Sequence, residues 1–251
     1  MILFGDYHTH TVYTHGTGTI EDSVKVAIER GLKQIAITEH SFSHIGYGVS
    51  RKEYNLMRME IETLRNKYEG KIDILCGLES NLISHDGTID LGEDERKKVD
   101  ILVVGFHKGF KCKNLKSFFK FWLPNVIGNS SKSEKQIEIN TNAYINALRR
   151  YKIDVLSHLN GNRCKVDPVA IAKVAKEVGT YIELNGKRIN FTDEEIRGMI
   201  DTGVKFIINS DAHKACKVGR CPDGLAIVEK YNIPPKQVVN LDRKPKFKTY
   251  N

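Results

Sequence analysis

No stretch of the 251 residues stays apolar for the roughly 18 residues that a bilayer crossing needs, so no membrane partner is expected. The first residues also lack a basic segment followed by an apolar one and a cleavage site. The expectation is therefore a cytoplasmic protein rather than an exported one. Cysteine is scarce. Cys76, Cys112, Cys164, Cys216 and Cys221 are an odd number with no CxxC spacing, which argues against a disulfide framework and for reduced thiols. Cys216 and Cys221 do not have the spacing of a standard metal-ligand pair. Acidic residues are the minority sign, 31 against 39 basic, and the formal charge is +8. That excess favours anionic partners without choosing between a small phosphate ester and a nucleic acid. No internal repeat and no low-complexity segment interrupts the chain. Its length suits one large domain or two small ones, and 40% hydrophobic content is enough for a substantial core; a single domain over residues 1–251 is the expectation.

What is present is an alternation of short apolar runs and amphipathic segments. Ile2-Leu3-Phe4 reads as a first strand, followed by Gly5-Asp6-Tyr7-His8-Thr9-His10. Further strands are expected at 34–38, 72–75, 100–104, 154–156, 180–183 and 205–208. Between them lie helix starts with capping chemistry: Thr19 with Asp22, Ser50 with Glu53, Ser133 with Gln136, Asp167 before Pro168, and Thr192 with Glu195. A hairpin is expected from Leu82-Ile83 to Ile89, turning at His85-Asp86-Gly87. The tail carries one more short helix and a basic end. Seven strand–helix repeats imply parallel strands with crossover helices. Closure into a barrel follows from the chemistry at the strand ends, because a barrel gathers those ends around one axis.

That chemistry is concentrated in histidine. Seven of the nine histidines, His8, His10, His15, His40, His107, His158 and His213, lie at or just after expected strand C-termini, as do Glu79 and Asp211. A single such histidine would be an ordinary hydrogen-bonded residue. Nine candidate ligands at equivalent places point to a metal site, since neutral imidazoles and carboxylates suit divalent transition ions. His44 sits in the loop after the second strand and could face a substrate, and His85 reads as a turn residue.

The motifs Gly-Asp-Tyr-His-Thr-His, Thr-Glu-His (38–40), Gly-Leu-Glu (77–79), Phe-His (106–107), Ser-His (157–158) and Ser-Asp-Ala-His (210–213) together resemble the PHP superfamily, named for bacterial polymerase domains and histidinol phosphatase. Glu79-Ser-Asn81, Asp86-Gly-Thr-Ile-Asp90 and Glu183-Leu-Asn185 are most similar to its stand-alone three-metal phosphatases. The resemblance covers nearly the whole chain. It implies an α/β fold, a distorted, TIM-like (β/α)7 barrel with the site at the C-terminal ends of the strands. It also implies three divalent metal ions, Zn, Mn or Fe. By this resemblance His8, His10, Glu79 and Asp211 would hold the first ion. Glu79 would bridge to a second, completed by His107 and His158, while His15, His40 and His213 would hold the third. Glu39 stands where such motifs usually carry Asp beside the histidine, and is expected to orient a ligand.

Three divalent ions against two carboxylates leave a site charge of about +4, suited to a phosphomonoester dianion. A metal-bridging hydroxide would attack phosphorus. Asp211, Glu79 and His213 would be catalytic, Asp211 by orienting or deprotonating the nucleophile. Arg163, Lys187, Arg188, Arg220 and His44 are candidates for binding the rest of the ester. Asn160 and Asn185 could hydrogen-bond substrate or a metal-bound water. The leading expectation is a metal-dependent phosphatase of small phosphomonoesters. A narrower version is histidinol-phosphate phosphatase. A third reading, a nuclease or nucleic-acid-processing module, would use the lysines and aromatics interleaved over 108–122. Nucleic acid is nonetheless not the expected partner, because that segment reads more simply as a lid. A binding module with a relic metal site would be expected to lack some ligands.

Overall fold

The computed structural model describes residues 2–127 and 133–248. Seven parallel strands form one sheet in sequential order: β1 (Gly5–Asp6), β2 (Gln34–His40), β3 (Asp73–Asn81), β4 (Ile101–Gly105), β5 (Val155–Leu156), β6 (Tyr181–Asn185) and β7 (Phe206–Asn209). The helices are α1 (Ile20–Glu29), α2 (Arg51–Lys67), α3 (Glu93–Arg96), α4 (Leu115–Ser117), α5 (Leu123–Val126), α6 (Glu134–Arg150), α7 (Pro168–Val178), α8 (Asp193–Thr202) and α9 (Pro222–Lys230). The expected caps start them. Capping boxes open α1, α2 and α8, Ser133 opens α6, and Asp167 with Pro168 opens α7. Residues 128–132, which follow the 108–122 segment and α5, lie outside the described residues.

The sheet curls into a nearly closed barrel whose seam lies between β7 and β1. At the C-terminal end the seam closes directly: Thr9 bridges Ala212, and the His10 amide donates to the Ala212 carbonyl at 2.8 Å. At the other end residues 238–241 fill the gap. The Val239 amide donates to the Phe206 carbonyl at 2.9 Å and the Phe4 amide to the Asn240 carbonyl at 2.8 Å. The buried Asn240 side chain donates to the Gly5 and Ile208 carbonyls and accepts from the Ile208 amide. This explains why the first strand differs from expectation. Ile2-Leu3-Phe4 does not join the parallel sheet, because Leu3 pairs antiparallel with Leu241 instead, and the parallel register begins at Gly5. The expected 82–89 hairpin is a single bridge, Leu82 to Ile89, around a tight turn in which Gly87 has φ 83°. The third strand runs longer than expected, through Glu79 to Asn81, so Glu79 is held by sheet pairing on both sides.

Two cores result. The larger lies between sheet and helices. The smaller fills the barrel and includes Tyr7, Ala36, Ile101, Val103, Val155, Tyr181 and Ile207. Phe247 stops its floor, with its ring 5.0 Å from that of Tyr7. Burying each large aliphatic side chain contributes about 1.5–3 kcal/mol, so the interior is a packed plug and not a pore. Above that plug, at the C-terminal mouth, the interior turns polar.

Candidate metal centre

Glu79 stands at the middle of the polar layer, on β3 and fully buried. Its Oε1 accepts from Ser157 Oγ at 2.8 Å and lies 2.9 Å from His158 Nε2. It also lies 3.3 Å from His8 Nε2. Its Oε2 lies 2.9 Å from His40 Nδ1, 3.3 Å from His107 Nε2 and 3.6 Å from His10 Nε2. Asp211 Oδ1 is 3.7 Å from His10 Nε2 and 3.9 Å from His8 Nε2. The last two of the seven expected histidines close the cluster: the His15 ring centroid lies 4.2 Å from His213 and 4.9 Å from His40. All nine sequence-predicted ligands therefore meet in one place. Gly105 makes room for them. A Cβ there would sit 2.4 Å from Ser157 Oγ, 2.7 Å from the His158 ring and 3.1 Å from Glu79 Oε1.

Only part of this network is hydrogen-bonded. Glu79 Oε2, His40 Nδ1 and His10 Nδ1 are buried with no hydrogen-bond partner, although Oε2 and His40 Nδ1 are close enough for one. Leaving a buried carboxylate oxygen and buried ring nitrogens unpaired costs several kcal/mol unless a cation sits among them. The spacing fits that cation. Ligands about 2.0–2.2 Å from a tetrahedral ion stand about 3.3–3.6 Å from one another, close to the separations measured here. Three overlapping triads have ligand atoms within 4.8 Å of each other: His8, His10 and Asp211; His10, His40 and His213; and His40, Glu79 and His107. His15 and His158 stand just outside these triads.

The protonation states suit metal ligands. Burial lowers the imidazole pKa of His10, His15, His40 and His213, helped by neighbouring rings, and His15 falls to about 4. These rings stay neutral at neutral pH and keep a lone pair for a metal. Burial also acts to lower His8 and His158, but nearby carboxylates, Glu79 foremost, outweigh it and raise both. Burial acts to raise Glu79, yet the imidazoles of His107 and His8 hold it well below the carboxylate range.

The outer supports are where sequence reasoning fell short. Glu183, on β6, accepts from His8 Nδ1 at 2.8 Å and from the His158 amide at 2.8 Å. Asn209 Nδ2 also donates to it, at 3.1 Å. Asn81 Oδ1 lies 2.8 Å from His107 Nδ1, and Asp90 fixes Asn81 through both its amide and its side chain at 2.8 Å. Each leaves the Nε2 of its histidine aimed at the cluster, as outer hydrogen bonds do for metal-ligating histidines. A carboxylate at a strand end, which selects Glu79, selects Glu183 equally well. Asp6, two residues before His8, accepts from the Ser210 amide and hydroxyl and the Gly219 amide, tying the β7 loop to β1. Glu39 accepts from the Thr11 amide at 2.7 Å and from the Thr11 and Thr14 hydroxyls, with Oε2 3.7 Å from His10 Nδ1. Two site residues, His158 (φ 30°) and Asp211 (φ 48°), sit in left-handed backbone, a strain that concentrates at functional positions.

Of the candidate substrate contacts, Lys187 Nζ lies 3.7 Å from Asp211 Oδ2 and donates to the Asp211 carbonyl. His44 lines a cavity of about 310 Å³ directly over the cluster. Arg163 and Arg188 line an adjoining cavity of about 660 Å³. Arg220 lines neither. Asn185 Nδ2 donates to Glu183 Oε2 and Asp211 Oδ2, whereas Asn160 is engaged with Glu195 and the Asn190 carbonyl. His85 is outside the cluster, beside Ser117 in the 84–88 turn.

Over residues 6–209 the sequence matches the PHP domain family. The chain belongs to that family. It is 29% identical over 256 residues, 96% of this chain and 92% of the other, to a protein of Thermoanaerobacter pseudethanolicus named probable phosphatase. A protein of the same name from Caldanaerobacter subterraneus subsp. tengcongensis is 28% identical over 94% of this chain and 86% of its own length. Among solved PHP-type folds, the histidinol phosphate phosphatase of Lactococcus lactis subsp. lactis, crystallised with zinc, L-histidinol and phosphate, superposes with a TM-score of 0.61. It covers 94% of each chain at 18% identity. At that identity the likeness speaks for the barrel. No helix among the described residues is long and apolar enough to cross a membrane.

Proposed function

We propose that this PHP protein is a metal-dependent phosphatase that hydrolyses small phosphomonoesters at a three-metal site. The observation that carries the proposal is Glu79 Oε2: a buried, unpaired carboxylate oxygen ringed by three imidazole nitrogens at 2.9–3.6 Å. His8, His10, Glu79 and Asp211 would hold one ion, Glu79, His107 and His158 a second, and His15, His40 and His213 a third. Bound ions of the Zn, Mn or Fe class would supply a nucleophile at neutral pH and positive charge at the phosphoryl oxygens.

The remaining chemistry belongs to the chain. Glu183 adds a third carboxylate to the two assigned from sequence, and Lys187 adds an ammonium. Three divalent ions with these groups leave about +4, suited to a phosphate dianion. Asp211 turns Oδ1 toward His8, His10 and His213 and Oδ2 toward Asn185 and Lys187. Its side chain is 17% exposed, so it reaches the cavity mouth and can orient an attacking water while staying fixed by its neighbours. His44 lines the cavity above the cluster, beside the ester that would bind there.

The nuclease reading keeps only part of its support, since Phe119 is exposed while the Phe118 and Trp122 rings stack on each other. Phe110 and Phe121 are buried and pack edge-on against Phe106, so they cannot stack bases. Lys113 pairs with Asp86 at 2.7 Å. At the start of the segment, Lys108 lines both cavities at the mouth. The test is release of inorganic phosphate from a panel of small monoesters by metal-reconstituted protein, with loss on chelation and recovery on adding metal back.

A further inference from the structure

The cluster occupies only part of the C-terminal face. Beside it, between the loops after β4, β5 and β6, lies the cavity of about 660 Å³. It meets the smaller cavity over the cluster at His107, Lys108 and His158, which line both. A phosphoryl group held at the cluster would therefore direct its leaving group into this larger space. The volume is in the range of sites for drug-sized molecules and exceeds what a bare small alcohol would fill.

Its charge is one-sided. Lys108, Arg163 and Arg188 line it, each from a different loop, and no carboxylate of the described residues does. The Arg163 guanidinium is anchored at the rim by donating to the Val126 carbonyl at 2.7 Å, which leaves its other donors to face a ligand. Phe106 and Tyr144 supply apolar wall. Arginine forks recognise carboxylate and phosphate by paired hydrogen bonds, and a cleft lined by one sign of charge concentrates ligands of the other.

We infer that this cavity is a leaving-group pocket for a second anion: the substrates are phosphomonoesters whose alcohol carries a carboxylate or a further phosphate. This rests on the phosphatase reading above. It also disfavours esters of amino alcohols such as histidinol, whose ammonium would meet three like charges.

Two measurements on the metal-loaded protein test the pocket and the chemistry separately. Calorimetry compares benzylphosphonate, which cannot be hydrolysed, with analogues carrying a para carboxylate, a para phosphonate or a para aminomethyl group. Kinetics compares the corresponding phenyl phosphates. The anionic analogues should bind at least tenfold tighter than the parent and the cationic one more weakly, with kcat/KM in the same order. The carboxylate and phosphonate arms show which anion the pocket prefers. In Arg163→Glu with Arg188→Glu the order should reverse, and a ratio between ligands within one variant cancels any change in metal loading. Equal affinities across the series, or an order unchanged in the double variant, would overturn the pocket. Binding in the expected order without phosphate release would instead overturn the phosphatase reading and leave the pocket standing.

Discussion

His40 Nδ1 and Glu79 Oε2 lie 2.9 Å apart, both buried, and share no hydrogen bond. Cations bound among the ligands would remove the cost of leaving both atoms unpaired. Nine ligands with Glu79 shared allow three ions. Elemental analysis of metal-replete protein should give about three transition-metal ions per chain. A fully loaded preparation that never exceeds one would reject the three-metal assignment.

The two oxygens of Glu79 face different histidine sets, so in the three-metal assignment its loss would disturb two ions together. Glu79→Ala should lower kcat at least about a thousandfold, roughly 4 kcal/mol of transition-state stabilisation. His85→Ala, in the turn away from the cluster, should retain nearly full activity. Steady-state kinetics of the two variants, side by side, locate the site. Similar rates would place it elsewhere.

Asn81 is a positioning residue. It connects Asp90 to His107 Nδ1 and thereby fixes which nitrogen His107 presents. Asn81→Leu should weaken metal affinity or activity about 10- to 100-fold. Titration with a metal-sensitive dye would show whether the loss lies in binding. Unchanged affinity and turnover would mean that His107 needs no such support.

Lys248 gives a pH signature remote from the cluster. Burial, with the nearby Arg96 and Lys152 charges, outweighs the pull of Asp154 and brings its ammonium down to about 8 from 10.5. A lysine depressed on folding opposes folding below pH 8, where it is charged in both states. That penalty disappears as pH rises from 8 to 10.5, because only the folded chain sheds the proton. Lys248→Met also removes the ammonium's hydrogen bonds to the Ile153 carbonyl and the Thr180 hydroxyl, so the expected signature is the trend: the stability of the variant relative to wild type should fall as pH rises from 8 to 10.5. Urea midpoints of the two proteins across that range measure it. A constant difference would contradict the burial of Lys248.

Much of the fold is legible in the sequence because the signals are local. Capping boxes and period-2 or period-3.6 patterns announce six of the longer helices and the strand cores, and the histidines mark the strand ends. The seam is not legible, since Asn240 reaches Gly5 and Ile208 only after the tail folds back under the barrel. The candidate ligand set can be read because imidazole is rare and its placement repeats. The roles of Glu183, Asn81 and Asp90 cannot, because an amide or carboxylate gains that meaning only from the ring nitrogen it meets across strands.

The lysines of the 108–122 segment should matter little to a small substrate. Replacing Lys111, Lys113 and Lys116 by Gln removes charges on the 108–122 segment and the exposed Lys113–Asp86 pair, which contributes at most about 1 kcal/mol. Monoester turnover should change only a few-fold and depend weakly on salt. Strand cleavage that falls steeply with salt and vanishes in this variant would revive the nuclease reading.

The most direct test compares a monoester with its diester: inorganic phosphate released from phenyl phosphate against cleavage of bis(phenyl) phosphate and of single-stranded DNA, by the same metal-loaded preparation. A compact three-metal site of about +4, as proposed, would favour a terminal dianion over an internal monoanion carrying bulk on both sides. Monoester turnover should exceed diester and DNA cleavage by orders of magnitude and disappear on chelation. Faster cleavage of the diester or of DNA, or phosphate release that survives complete removal of metal, would contradict the account.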